Sequence, residues 1–209
     1  MFTIHQAVVL CACAILIRPA TAYPEKLVFY FEDFQGRPCN GGLSRHRPAS
    51  PDCTDGRYND DEIFQSVGYE GILSGRVEAY SLQRNNNCGV FVSHGSVCAS
   101  SGGVPLITAA KFITPPCKTP SLCFLTEQRD SKTKTGSDDM DNAWAWTDIA
   151  NDKSWVLIPG TFNEDDFKLA RLSGKGEEYV KNNYTFYAPY SQRYNMKARI
   201  YRDANNKPN

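Results

Sequence analysis

Leu27-Val28-Phe29-Tyr30-Phe31-Glu32-Asp33-Phe34 is the stretch on which the fold turns. Aromatic and β-branched residues favour extended backbone, and a period of two sends successive side chains to opposite faces. Leu27, Phe29 and Phe31 therefore share one face, with Val28 and Tyr30 on the other. Segments of similar character follow at 72–82, 89–93, 106–113, 122–126, 143–149, 155–158, 184–187 and 197–201. Turn residues separate them at the spacing of a sandwich or barrel. The fold class predicted is mainly β: a disulfide-stapled β-sandwich or barrel with one or two short helices.

The helices are signalled by caps. Asn59-Asp60-Asp61-Glu62 sets an N-cap residue three positions before a Glu, ahead of Ile63 and Phe64. Asn163-Glu164-Asp165-Asp166 repeats the pattern, and Gly174 is placed to close a helix after Leu172. The alternation Phe167, Leu169, Arg171 leaves a strand open for that segment.

Upstream of the first strand, Ala7 to Ile17 is an unbroken apolar run, followed by the small-x-small pattern Ala20-Thr21-Ala22. Such a run suits a signal peptide and is too short to span a bilayer, which takes about 20 residues. Residues 1–22 are read as a signal peptide, with the mature chain starting at Tyr23, although no Lys or Arg precedes the run. No later segment is long and apolar enough to cross a membrane. Asn206-Lys207-Pro208-Asn209 is neither a retention signal nor a prenylation box. The expected localisation is secreted and extracellular, with no membrane span.

Cysteine usage agrees with export. Of eight cysteines, Cys11 and Cys13 leave with the signal, and Cys39, Cys53, Cys88, Cys98, Cys117 and Cys123 remain. An even set in an oxidising route reads as three disulfides. Fifteen pairings are open; sequence proximity suggests 39 with 53, 88 with 98, and 117 with 123. The second pairing requires a reversal near Ser93-His94-Gly95-Ser96, because ten extended steps span about 33 Å while bridged Cα atoms lie about 5.5 Å apart. Zinc ligation wants cysteines two to four residues apart, which the mature chain lacks, so neither metal nor cofactor is expected.

With 23 basic and 23 acidic residues the chain is formally neutral, and losing Arg18 leaves one net negative charge. Such a balance supplies no bulk attraction to nucleic acid or anionic membrane. Residues 23–209 are read as one secreted β-rich domain, and a monomer is expected. The polar stretch 129–142 leaves room for a division near 130, into a cysteine-rich lobe 23–130 and a cysteine-free, aromatic-rich lobe 131–209.

In that second part, Trp144 and Trp146 would share one strand face, either packing between layers or offering a stacking platform to sugar or protein. Asn183-Tyr184-Thr185 is an N-glycosylation sequon. Catalytic signatures are sparse. The mature chain has two histidines, His46 between Arg45 and Arg47, and His94 beside Ser93. Neither a nucleophile elbow, a P-loop nor a dinucleotide fingerprint is present. Glu32, Asp33, Glu70 and Glu78 keep carboxylate chemistry open, and Arg76, Glu78 and His94 could form a ribonuclease-like set, though no spacing demands it. The chain is read as leaning away from an enzyme, with no catalytic residue assigned.

Taken together, the signal ending Ala-Thr-Ala-Tyr23, six mature cysteines and a β-rich Tyr/Asn/Gly-heavy body resemble the small secreted cysteine-rich effectors of plant-pathogenic fungi. That resemblance implies a virulence protein that binds a host target, in the host apoplast or after entry into host cells, and that an immune receptor recognises as an avirulence factor. The partner expected is a host protein or an extracellular glycan. His94, Trp144 and Trp146 are the candidate binding residues, and loops 35–60, 93–96 and 128–142 the candidate display surfaces. A secreted carboxylate-dependent hydrolase or ribonuclease and a carbohydrate-binding module are the alternatives.

Overall fold

The computed structural model describes residues 26–50, 52–70, 75–81, 88–114 and 142–190. The signal segment, Cys117, Cys123, the strands expected at 122–126 and 197–201, and all of the 128–142 loop but Asn142 lie outside the described residues.

Eleven strands among the described residues form two antiparallel sheets: β1 (Lys26–Tyr30), β2 (Gly42–Pro48), β3 (Thr54–Asp55), β4 (Ser66–Glu70), β5 (Arg76–Ser81), β6 (Val90–Gly95), β7 (Cys98–Ser100), β8 (Ala109–Ile113), β9 (Trp144–Asp148), β10 (Lys153–Leu157) and β11 (Phe186–Ala188). The larger sheet runs β11-β10-β9-β2-β1-β4-β7 and the smaller β3-β8-β5-β6. Helices α1 (Glu164–Leu172) and α2 (Gly176–Asn183) lie between β10 and β11 in the chain. The architecture is the mainly β, disulfide-bonded sandwich with two short helices that the sequence predicts. Its larger sheet draws strands from both sides of residue 130.

β1 shows why Leu27–Tyr30 is apolar on both faces. It lies inside the larger sheet, and all five of its residues are buried. Leu27 and Phe29 face the smaller sheet, in a core with Phe64, Val67, Val77, Ala79, Ile107 and Phe112. Farther along the same face, α1 and α2 replace the smaller sheet as cover, and Trp144, Leu157, Phe167 and Val180 form a second cluster. Phe31 joins the two, its ring 4.5 Å from Phe64 and 5.7 Å from Trp144.

α1 starts where the cap predicts. The Asn163 side chain accepts from the N–H groups of Asp165 and Asp166 at 3.1 and 3.2 Å, satisfying two donors that a helix start leaves unpaired. Gly174 follows its end with φ +75°, the left-handed conformation glycine adopts freely. The first capping pattern has a different outcome: 59–61 is a turn, and the chain continues extended to a β-bridge between Phe64 and Ile107. Glu62 and Phe64 are both fully buried there, and the carboxylate goes to a charge cluster rather than to a helix.

The disulfides correct the near-neighbour pairing. Cys39 bonds Cys98, and Cys53 bonds Cys88. Cys39 and Cys53 are separated by β2, seven residues of extended chain, so 35–60 is not a single loop. Cys88 and Cys98 are parted because the reversal comes at Ser96–Val97, beside Cys98, and not midway. β6 therefore carries Cys88 away in one sheet, while Cys98 opens β7 at the edge of the other. Cys39–Cys98 ties that edge to the segment before β2, and Cys53–Cys88 ties together the segments leading into β3 and β6, the outer strands of the smaller sheet.

Candidate functional site

The register of β2 sets Arg45 opposite Phe29 on β1 and opposite Trp144 on β9. Its guanidinium therefore hangs among rings, with Cζ 4.7 Å from the Trp144 ring centroid and 5.0 Å from that of Tyr58. The 58–62 turn brings in Glu62, whose Oε2 accepts the Tyr58 N–H at 2.6 Å and lies 3.5 Å from Arg45 Nη1. Arg171, from the last turn of α1, places Nη2 3.4 Å from Glu62 Oε1 and its Cζ 4.7 Å from the Phe31 ring. Three separate elements thus converge on one carboxylate.

Burial makes this cluster costly to assemble. The side chains of Glu62 and Arg45 are 1% and 2% exposed, and taking each charge from water costs several kcal/mol before pairing repays it. Burial pulls the Arg45 guanidinium down to about 10, against the opposing pull of Glu62. Burial likewise pushes Glu62 up, with the Tyr58 N–H, Arg171 and Arg45 holding it back. Arg45 Nε and Nη1 and Arg171 Nε have no hydrogen-bond partner among the described residues. Cation–π contact with Trp144 compensates them in part.

Above the cluster lies a cleft of about 420 Å³ between the 58–62 turn and the first turn of α1. Trp144 closes its floor; Tyr58, Asn59, Asn163, Glu164 and Lys168 stand around it. Lys168 Nζ lies 3.3 Å from Asp61 Oδ2, joining helix to turn. Tyr58 is 53% exposed, and a hydrogen bond to Glu164, followed by that carboxylate's charge, raises the pKa of its hydroxyl. The rim offers amide, hydroxyl, carboxylate and ammonium groups, a mixed set that can both donate to and accept from a hydroxylated ligand. Among the described residues no three His, Cys, Asp or Glu side chains converge as a metal site.

The residues singled out from sequence fall elsewhere or deeper. Trp144 and Trp146 do share a face, but the helices cover it. Trp144 is 3% exposed, packed edge-on against Phe167. Trp146 is half-buried opposite Leu43 and Trp155, with Lys181 Nζ 5.6 Å from its ring and 4.8 Å from that of Trp155. They form no bare aromatic strip. His94 sits within β6, not at a hairpin tip, and is exposed directly across from Glu78. Asn183 ends α2, with its side-chain N–H donating to the Tyr179 carbonyl at 3.0 Å.

Arg45, Tyr58, Glu62 and Arg171 were not foreseen as a group. The only signal was the capping pattern at 59–62, which marks a reversal correctly but says nothing of where the Glu62 carboxylate ends. Compared with known proteins, the chain matches no family model, no curated protein and no solved structure at a significant level.

Proposed function

We propose that this chain is a secreted binding protein of the effector type, acting on a host target, and that the cleft beside α1 holds a short hydroxyl-rich ligand, the exposed sugars of an extracellular glycan. One observation carries the reading: a cleft of sugar scale has a floor backed by the Arg45–Glu62–Arg171 cluster and a rim of mixed hydrogen-bonding groups. Ligand sites pair an apolar wall with a few fixed polar groups, and a pre-ordered site saves the entropy of arranging them on binding. Of the partner classes expected, glycan or host protein, a concave polar cleft favours the glycan. A protein partner would be met by a broad face centred on exposed aromatic anchors. The two disulfides, together with a described chain in which no helix is long and apolar enough to cross a membrane, support export.

The test is a glycan-array screen of the oxidised protein, followed by calorimetric titration of the best ligand. Tyr58→Ala and Asn163→Ala should each weaken binding about tenfold, the loss of one good contact. Failure of every glycan to saturate, or affinities untouched by both substitutions, would remove the cleft from the argument.

A further inference from the structure

The outer face of the smaller sheet carries a second cluster that the cleft does not use. On β5, Val77 and Ala79 enter the core, so Arg76, Glu78 and Tyr80 point outward. Register then sets Glu78 at the centre of a row across three strands, with His94 on β6 to one side and Lys111 on β8 to the other. Side chains directly opposed in this way have Cβ atoms about 4.5–5.5 Å apart. Glu78 accepts from the Tyr80 hydroxyl at 2.7 Å through Oε2 and pairs with Arg76 through Oε1. Lys111 Nζ lies 5.6 Å from the Tyr80 ring. Phe91, 51% exposed, stands opposite Tyr80 with its ring 6.1 Å from that of His94.

We propose that this face is a catalytic site for cleaving single-stranded RNA by transphosphorylation, with Glu78 as general base and His94 as general acid. Glu78 takes the proton of a ribose 2′-hydroxyl, and the freed oxygen attacks the adjacent phosphorus. The bond from phosphorus to the 5′-oxygen breaks as protonated His94 gives its proton to that leaving oxygen. The products are a 2′,3′-cyclic phosphate and a 5′-hydroxyl end, so atoms and protons balance with no co-reactant. Arg76 and Lys111 flank Glu78 and face the charge that develops on the non-bridging oxygens. Phe91 offers the exposed ring on which a base stacks.

The electrostatics suit these roles. The Tyr80 hydroxyl, and after it Arg76, hold the Glu78 carboxylate below the usual range, keeping it in the form that accepts a proton. Burial and Glu78 push Tyr80 up to about 12, so it remains a neutral donor. The neutral whole-chain charge argues against tight, sequence-independent binding of nucleic acid, but turnover needs only the local pair of cations. This face is separate from the cleft, and either assignment can fail without the other.

The test uses the oxidised mature chain, residues 23–209, on a fluorogenic oligonucleotide with one ribonucleotide in an otherwise deoxy strand. Cleavage should follow the ribonucleotide, leave a 2′,3′-cyclic phosphate and be absent from the all-deoxy strand. His94→Ala and Glu78→Gln should each slow it by about 100-fold or more, the range of general acid–base catalysis. Glu178→Gln, on the exposed side of α2, should leave the rate unchanged. Circular dichroism confirms that each variant is folded, with His94→Gln as the second substitution at that position. No cleavage above a buffer blank, or equal rates in parent, His94→Ala and Glu78→Gln, overturns the assignment.

Discussion

Arg45 and Trp144 oppose each other across the β2–β9 pair, and the Arg45 guanidinium rests 4.7 Å from the indole centroid. This contact places a charge in the interior, next to the aromatic residue that joins the sheet to α1. The charge is tolerated because Glu62 pairs with it and Arg171 completes the group. The same three residues support the floor of the cleft, so a substitution among them acts on stability and on the shape of the cleft together.

Glu62→Gln should therefore be far more damaging than an ordinary surface substitution. The amide keeps the shape but leaves the guanidiniums of Arg45 and Arg171 without the carboxylate they share, and breaking a buried pair costs about 3–5 kcal/mol. Denaturant unfolding of the oxidised protein measures the loss. The double substitution Arg45→Met with Glu62→Leu should cost less than the two single effects added, because it removes a charge together with its partner. A Glu62→Gln variant within 1 kcal/mol of the parent, about the scale of an exposed pair, would show that the cluster is not electrostatically closed.

Digestion of the non-reduced protein should release peptides joining Cys39 to Cys98 and Cys53 to Cys88. Replacing Cys39 and Cys98 together by Ser should lower stability by about 2–5 kcal/mol, because a long loop of the unfolded chain is no longer restrained. Linked peptides containing 39 with 53, or 88 with 98, would contradict the topology directly.

Legibility in the sequence followed the strength of local signals. Leu27–Tyr30 reads as a strand because burial on both sides selects apolar residues at every position. The Asn163 cap reads as a helix start because its physics lies within four residues. β2 was missed for the opposite reason. Gly42-Leu43-Ser44-Arg45-His46-Arg47-Pro48 is polar in composition, yet Ser44, Arg45 and His46 are all buried. Polar residues enter a core when distant partners meet them, as Glu62 meets Arg45, and no local pattern announces such a partner. The disulfide pairing failed on the same ground, since strand β2 and the corner at Ser96–Val97 decide which cysteines meet. The Glu78–His94 pair was visible only as residue types; the β5–β6 register makes it a pair.

Glu78 also gives a pH dependence of definite sign. Its pKa is lowered by the Tyr80 hydroxyl first and then by Arg76, so the folded state binds fewer protons than the unfolded state just below the ordinary carboxylate range. The stability it contributes is complete above that range and is lost as pH falls through the depressed value. Glu78→Gln should be less stable than the parent at neutral pH by up to about 1 kcal/mol, the scale of an ion pair near the surface. The two unfolding midpoints should converge on acidification. A gap that persists or widens in acid would mean that packing, not charge, accounts for it.

Gly95 tests the corner on which the arrangement of both sheets depends. It ends β6 immediately before the chain crosses to the larger sheet, and a Cβ there would overlap the carbonyl oxygen of Cys98. That oxygen belongs to backbone paired with β4, where Cys98 lies opposite Gly68, so it cannot swing aside as a side-chain tip could. Gly95→Ala must move β6 or β7, at a cost of about 1–3 kcal/mol or more. Because β7 carries Cys98, the displacement also disturbs the approach of Cys39, and the variant should accumulate scrambled or incomplete disulfides during oxidative refolding. Thiol titration and non-reducing peptide mapping measure that yield. A Gly95→Ala protein with parental stability and fully native Cys39–Cys98 bonding would show that the corner is loose enough to clear the Cys98 carbonyl oxygen.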